Sequence, residues 1–144
     1  MEKSTVFYEN VEEETKKNDL YRKVVYTGKQ QFVYMSIEPN DGIHLETHPD
    51  HDQFIRIEEG KGVAIIDDKV HKLFDGIGII IPAGCKHEIK NTSSKKKLKL
   101  YSIYSPPEHD KDRIDKTNPD KTNVNLQKKY LKYKKKYFSL KEKF

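Results

Sequence analysis

The chain has 144 residues, 35 % charged and 34 % hydrophobic, with one cysteine, no tryptophan and a formal net charge of +5. That length suits one domain with a real core and short extensions, the lone Cys85 excludes an intrachain disulfide, and no apolar run approaches the roughly 18 residues of a membrane span. The start of the chain lacks the apolar stretch of a secretory signal, so the expectation is a soluble protein of a reducing, cytoplasmic compartment with no membrane partner.

From about position 22 the chain becomes a series of short β-type runs: 22–29, 31–37, 43–48, 53–60, 62–68, 69–73, 77–84, 86–91 and 98–107. They are rich in Val, Ile, Phe and Tyr and bounded by Gly, Pro, Asn and Asp. No helical period separates them, which predicts an all-β sandwich or barrel rather than a βαβ fold. Asp67-Asp68 marks a hairpin corner, though a weaker turn signal than Asp-Gly.

Strand alternation sorts residues by face. Gln53 shares a face with Ile55 and Ile57, and His87 shares one with Cys85, Ile89 and Asn91. A buried amide or imidazole needs a partner, because an unsatisfied one costs about 1–3 kcal/mol. Two such groups pointing inward suggest a shared pocket. The run 43–48 is ambiguous: its parity groups either Ile43, Leu45 and Thr47, or His44, Glu46 and His48.

Two segments then stand out. The first is Glu46-Thr-His48-Pro-Asp-His-Asp-Gln53, closed by Gly60; the second runs from Gly76 through Pro82, Gly84 and His87 to Asn91. The second resembles the cupin motif G-x5-P-x-G-x2-H-x3-N at every fixed position. The first resembles H-x-H-x(3,4)-E-x6-G, with Glu46 in place of the first histidine and Gln53 in place of the glutamate. Residues 20–117, including YRKVVYTGK and LKLYSIYSPPEH, are similar to small stand-alone cupins that carry this Glu-x-His and Asp-Gln variant. The resemblance implies a double-stranded β-helix, or jelly-roll barrel, with Glu46, His48 and Gln53 on one strand region and His87 on the neighbouring strand.

The implied cofactor is one divalent transition metal ion held by Glu46, His48 and His87, with Gln53 either a fourth ligand through its carbonyl oxygen or a hydrogen-bond partner of a bound water or substrate. Two imidazoles and a carboxylate suit Zn, Mn, Fe or Ni without distinguishing them. A metal-free pocket, with the histidines bonded to their side-chain neighbours, is the alternative. His44 is expected at the rim on the Glu46 face, His51 in solvent, Cys85 in packing beside His87, and Tyr101 or Tyr104 along the pocket wall. Where that family reads His-Lys-Thr, this chain has Asp115-Lys116-Thr117, which removes any role for that histidine.

The ends differ from the middle. Residues 125–144 carry a formal charge of +7, which leaves −2 for residues 1–124. Leu126, Tyr130, Tyr133, Tyr137, Leu140 and Phe144 recur at 4-3-4-3-4 spacing, the seam of a short amphipathic C-terminal helix with lysines on its other faces. Such a helix suits the barrel surface, a second subunit of a homodimer, or a polyanion such as nucleic acid. Its Lys/Tyr-rich pattern resembles stretches found in proteins of giant DNA viruses. The expected organisation is an extension over 1–20, the barrel over 21–117, a linker over 118–124 and the basic helix over 125–144. The expected function is a metal-dependent cupin enzyme, of isomerase, lyase or oxygenase type, acting on a small sugar-like ligand. A non-catalytic binding or interaction module is the rival.

Overall fold

The computed structural model describes residues 5–122. The basic segment 125–144, read as a helix, lies outside them.

Among the described residues ten strands form two antiparallel sheets. β1 (Arg22–Thr27), β2 (Gln31–Ile37), β4 (Asp52–Glu59), β7 (Gly78–Ile81), β9 (Leu98–Ser105) and β10 (Ile114–Asp115) build the first, in the order β10-β1-β2-β9-β4-β7. The second has the order β3-β8-β5-β6, from β3 (Gly42–Thr47), β5 (Gly62–Ile66), β6 (Lys69–Leu73) and β8 (Lys86–Asn91). This is the expected jelly roll, and each run read as a strand overlaps one. The Asp67-Asp68 turn is made by two residues with φ of 48° and 68°, the left-handed pair that a tight hairpin needs and that Asp tolerates.

The core lies between the sheets. Val33, Met35 and Ile37 from β2, Ile55 and Ile57 from β4, and Leu98 and Leu100 from β9 meet Ile43, Ala64 and Ile89 of the other sheet, all essentially buried. The alternation read for β4 holds: Gln53, Ile55 and Ile57 all point inward.

The opposite face of the first sheet is aromatic. Tyr101 stacks on Phe32 with ring centroids 4.9 Å apart, and Phe7 reaches Phe32 at 5.1 Å. Over this face runs a helix the β-type reading did not include, α1 (Val11–Lys17), capped by the Asn10 side chain accepting from the Glu13 N–H. Acidic residues in its first turn and lysines in its last complement the helix dipole. Beyond β10 the chain stays on the barrel: Asn118 is buried and its amide donates to Asp41 Oδ1 and the Gly42 carbonyl, ahead of a 3-10 turn at Pro119–Thr122. Among the described residues no helix is long and apolar enough to cross a membrane.

Candidate metal centre

The ambiguity in 43–48 is resolved by a bulge. Ile43 pairs with Ile89 and Glu46 pairs with His87, so three steps along β3 span only two along β8. The extra residue reverses the parity of the strand. Ile43 and Glu46 therefore both face inward, and His48 follows Glu46 two residues later. His44, expected on the Glu46 face, is instead paired with Asp120 of the 3-10 turn, Nδ1 to Oδ2 at 2.6 Å.

The turn between β7 and β8 brings the second histidine in. Gly84 adopts φ +88°, a left-handed conformation that L side chains rarely take, and its N–H donates to the His48 carbonyl at 2.9 Å. Ala83 N–H donates to Asp52 Oδ1. The Pro-x-Gly turn is thereby tied to the loop carrying His48, and His87 lies directly across from Glu46.

Ligating atoms of Glu46, His48 and His87 lie within 4.8 Å of one another. Glu46 Oε1 is 3.1 Å from His48 Nε2 and 3.6 Å from His87 Nε2, and the two rings are 5.1 Å apart. Metal–ligand bonds near 2.1 Å put neighbouring donor atoms about 3.0–3.4 Å apart, so this spacing fits a single ion. The hydrogen-bond pattern fits as well. His87 Nδ1 lies 3.0 Å from the Cys85 carbonyl, which can only accept, so the proton of the neutral ring sits on Nδ1. Its Nε2 then turns a lone pair toward the Glu46 carboxylate, and that buried atom has no hydrogen-bond partner among the described residues. Two electron-rich atoms facing each other call for a proton or a cation between them.

Burial opposes ionisation of Glu46, but the imidazoles of His48 and His87, in the forms that present a proton to it, outweigh burial and hold its carboxyl well below the usual carboxylate range; a cation held between these groups would take the place of that proton. In return, the Glu46 carboxylate raises His48 above its ordinary value against partial burial.

Gln53 joins from the opposite sheet. It is 2 % exposed, and its Nε2 donates to Ser102 Oγ at 3.2 Å and to Tyr104 Oη at 3.1 Å. Both amide protons are committed, so Oε1 is the free end, and it has no partner among the described residues. Tyr104, whose ring stands edge-on to His48 at 5.8 Å, lines the site. Tyr101 does not: three positions earlier on β9, it faces the aromatic outer layer. Cys85 packs partly against the core, and its thiol bonds to Asp67; burial and that carboxylate push the thiol up. Its backbone carbonyl, not its sulfur, serves the site.

Three residues were missed as contributors. His51, expected in solvent, is largely covered and pairs through Nε2 with Glu108, whose Oε2 also lies 3.5 Å from His48 Nδ1. Glu108 and His109 come from the segment between β9 and β10, which Gln31 pins down. This fully buried side chain accepts from the Glu108 and His109 N–H groups at 3.1 and 2.8 Å and donates to the His109 carbonyl at 2.8 Å. A loop held by one distant amide leaves no periodic trace in the sequence; the only signal was a Glu-His pair directly after Pro106-Pro107. Asp115, standing where the similar family has histidine, pairs instead with Arg22 and Arg113.

Two antiparallel sheets with a carboxylate–histidine cluster at one end define a double-stranded β-helix with a polar, inward-facing site. The chain belongs to the cupin family: the Cupin domain model matches residues 33–104. It is similar to the uncharacterized protein L612 of Acanthamoeba polyphaga mimivirus, 46 % identical over 94 % of this chain and 90 % of that protein. It is also 39 % identical to the uncharacterized protein YrkC of Bacillus subtilis, over 79 % of this chain and 64 % of that protein. Among solved structures, BH2720 from Bacillus halodurans superposes with a TM-score of 0.75 at 41 % identity, over 77 % of this chain and 89 % of that one.

Proposed function

We propose that this cupin holds one divalent transition metal ion on Glu46, His48 and His87 and uses it to bind a small, polar, sugar-like molecule. The observation that carries the reading is the unpartnered Nε2 of His87, turned toward a carboxylate that His48 also faces. A bound divalent ion supplies Lewis-acid polarisation of a ligand oxygen. The chain's own residues set the rest: the Cys85 carbonyl holds the His87 tautomer, Gly84 anchors His48, and the neutral Gln53 oxygen is left for the bound molecule.

The test is elemental analysis of protein purified without chelator, then reloaded with Zn²⁺, Mn²⁺, Fe²⁺ or Ni²⁺. Wild type is expected to carry close to one ion per chain and His87→Ala none. Absence of uptake of all four ions by folded wild type would overturn the reading.

A further inference from the structure

At the end of the barrel away from the metal centre, where β8 finishes at Asn91, lies an open groove of about 1070 Å³. Three turns and the C-terminal end of α1 enclose it. Asn91 Oδ1 accepts from Ser93 N–H at 3.0 Å, and the Ser93 hydroxyl accepts from the N–H groups of Lys95 and Lys96 at 3.2 and 2.9 Å. These bonds fix the turn, and Ser94, Lys95 and Lys96 stand exposed on its outside. The turn between β4 and β5 lies directly against it. Gly60 there has φ +115°, and a Cβ would come within 2.9 Å of the Lys97 carbonyl. Gly60 N–H in turn donates to Asp75 Oδ1 at 2.9 Å, which draws in the segment after β6 with Phe74.

The groove is basic in a body that is not. Its walls carry Lys16, Lys61, Lys95, Lys96, Lys97 and Lys99 against Asp19, Glu59 and Asp75, a formal +3, whereas residues 1–124 together carry −2. Local pairing uses only part of that charge. Asp19 Oδ1 is shared by Lys97 and Lys99, at 3.1 and 2.9 Å; Lys97 also faces Glu38 at 3.5 Å, and Lys16 pairs with Glu12. Lys61, Lys95 and Lys96 pair with no carboxylate among the described residues. Unpaired ammonium groups around one groove repel one another and draw in an anion.

An aromatic ring stands among these lysines. Phe74 lines the same groove and is 45 % exposed, with Lys72 Nζ 5.9 Å from its ring centroid. An acidic peptide would satisfy the lysines and leave the ring without a stacking partner. A duplex would keep its base faces covered. A single strand offers both halves, phosphates for the ammonium groups and an open base face for the ring.

We propose that this groove binds single-stranded nucleic acid: Lys61, Lys95 and Lys96 take its phosphates, and Phe74 stacks on a base. The site lies apart from the metal centre and does not depend on the metal reading.

Full-length protein is titrated into fluorescein-labelled oligothymidylate of about ten nucleotides, within the span of such grooves, and binding is followed by fluorescence anisotropy at several salt concentrations. The triple change Lys61→Gln, Lys95→Gln, Lys96→Gln should weaken binding about tenfold or more. It should also flatten the slope of log K against log salt by about 2, since each phosphate contact on a single strand contributes about 0.7. A matched triple, Lys23→Gln, Lys29→Gln, Lys69→Gln, removes the same charge from exposed lysines outside the groove. It should move the affinity less than about threefold. Phe74→Leu, which keeps apolar bulk without the ring, should weaken the oligonucleotide about tenfold and leave binding of inorganic polyphosphate unchanged, and Phe74→Tyr should restore it. Two triples that act alike would assign the binding to total charge or to segment 125–144 and overturn the proposal. Full oligonucleotide affinity in Phe74→Leu, or a wild type that binds polyphosphate but not oligothymidylate, would overturn it as well. Far-UV circular dichroism confirms that each variant is folded; if Phe74→Leu is not, the two triples and the polyphosphate comparison still decide.

Discussion

The two ends of β8 carry two equally buried polar side chains, His87 and Asn91, at 1 % and 2 % exposure. At the Asn91 end every valence is used. Its amide donates to the carbonyls of Ile37, Glu38 and Lys96, its oxygen accepts from Ser93 N–H, and its own N–H reaches the Asp41 carbonyl. At the His87 end one nitrogen is bonded to the Cys85 carbonyl, and the other, 3.6 Å from Glu46 Oε1, has no hydrogen-bond partner among the described residues. Four residues apart on one strand, Asn91 closes the barrel and His87 leaves a buried nitrogen without a hydrogen bond. Burial alone does not separate a structural polar group from a functional one; the unfilled valence does.

This contrast can be broken by exchanging the damage. Glu46→Gln should lower metal affinity by about 100-fold or more, with the metal-free protein still folded by its far-UV circular dichroism. Asn91→Ala should do the reverse, costing about 2–3 kcal/mol in chemical denaturation by stranding backbone carbonyls, with metal per folded chain unchanged. If Asn91→Ala lost metal as well, the two ends would not be independent.

Gln53→Glu sharpens the assignment within the open end. With Gln53 facing the bound molecule, a carboxylate there should change metal affinity less than about threefold, as measured by competition with a chromophoric chelator. A tightening of about tenfold or more would make Gln53 Oε1 a fourth ligand, since a carboxylate adds charge to the same donor.

The smallest expected effect is a pH dependence. His109 titrates near 4 in the fold against 6.5 unperturbed, so between those values the unfolded chain binds the extra proton. Its contribution to stability is complete above about 6.5 and is lost as pH falls toward 4. The melting temperature of wild type minus that of His109→Gln should fall steadily from pH 7 to pH 4. Parallel curves would mean that His109 is not held neutral.

The nine strand positions, the inward faces of Gln53 and His87 and the Pro-x-Gly turn were legible in the sequence, because alternation and turn residues are local signals. The α1 cap was also present, in Asn10 followed by acidic residues, but a helix shorter than two full turns makes no clear period. What β3 does was not legible. A bulge is a two-strand property: only pairing with β8 decides that Ile43 and Glu46 share a face and that His44 does not. The same holds for Glu108 and His109, which a buried Gln31 some seventy-seven residues away fixes at the mouth, and for Tyr101, whose side of β9 is set by which sheet face the core occupies. Sequence by itself determined the strands and their chemistry-bearing residues, because those depend on neighbours along the chain. Which of these residues meet was decided by tertiary structure, because cross-strand register and long-range hydrogen bonds have no counterpart in local pattern.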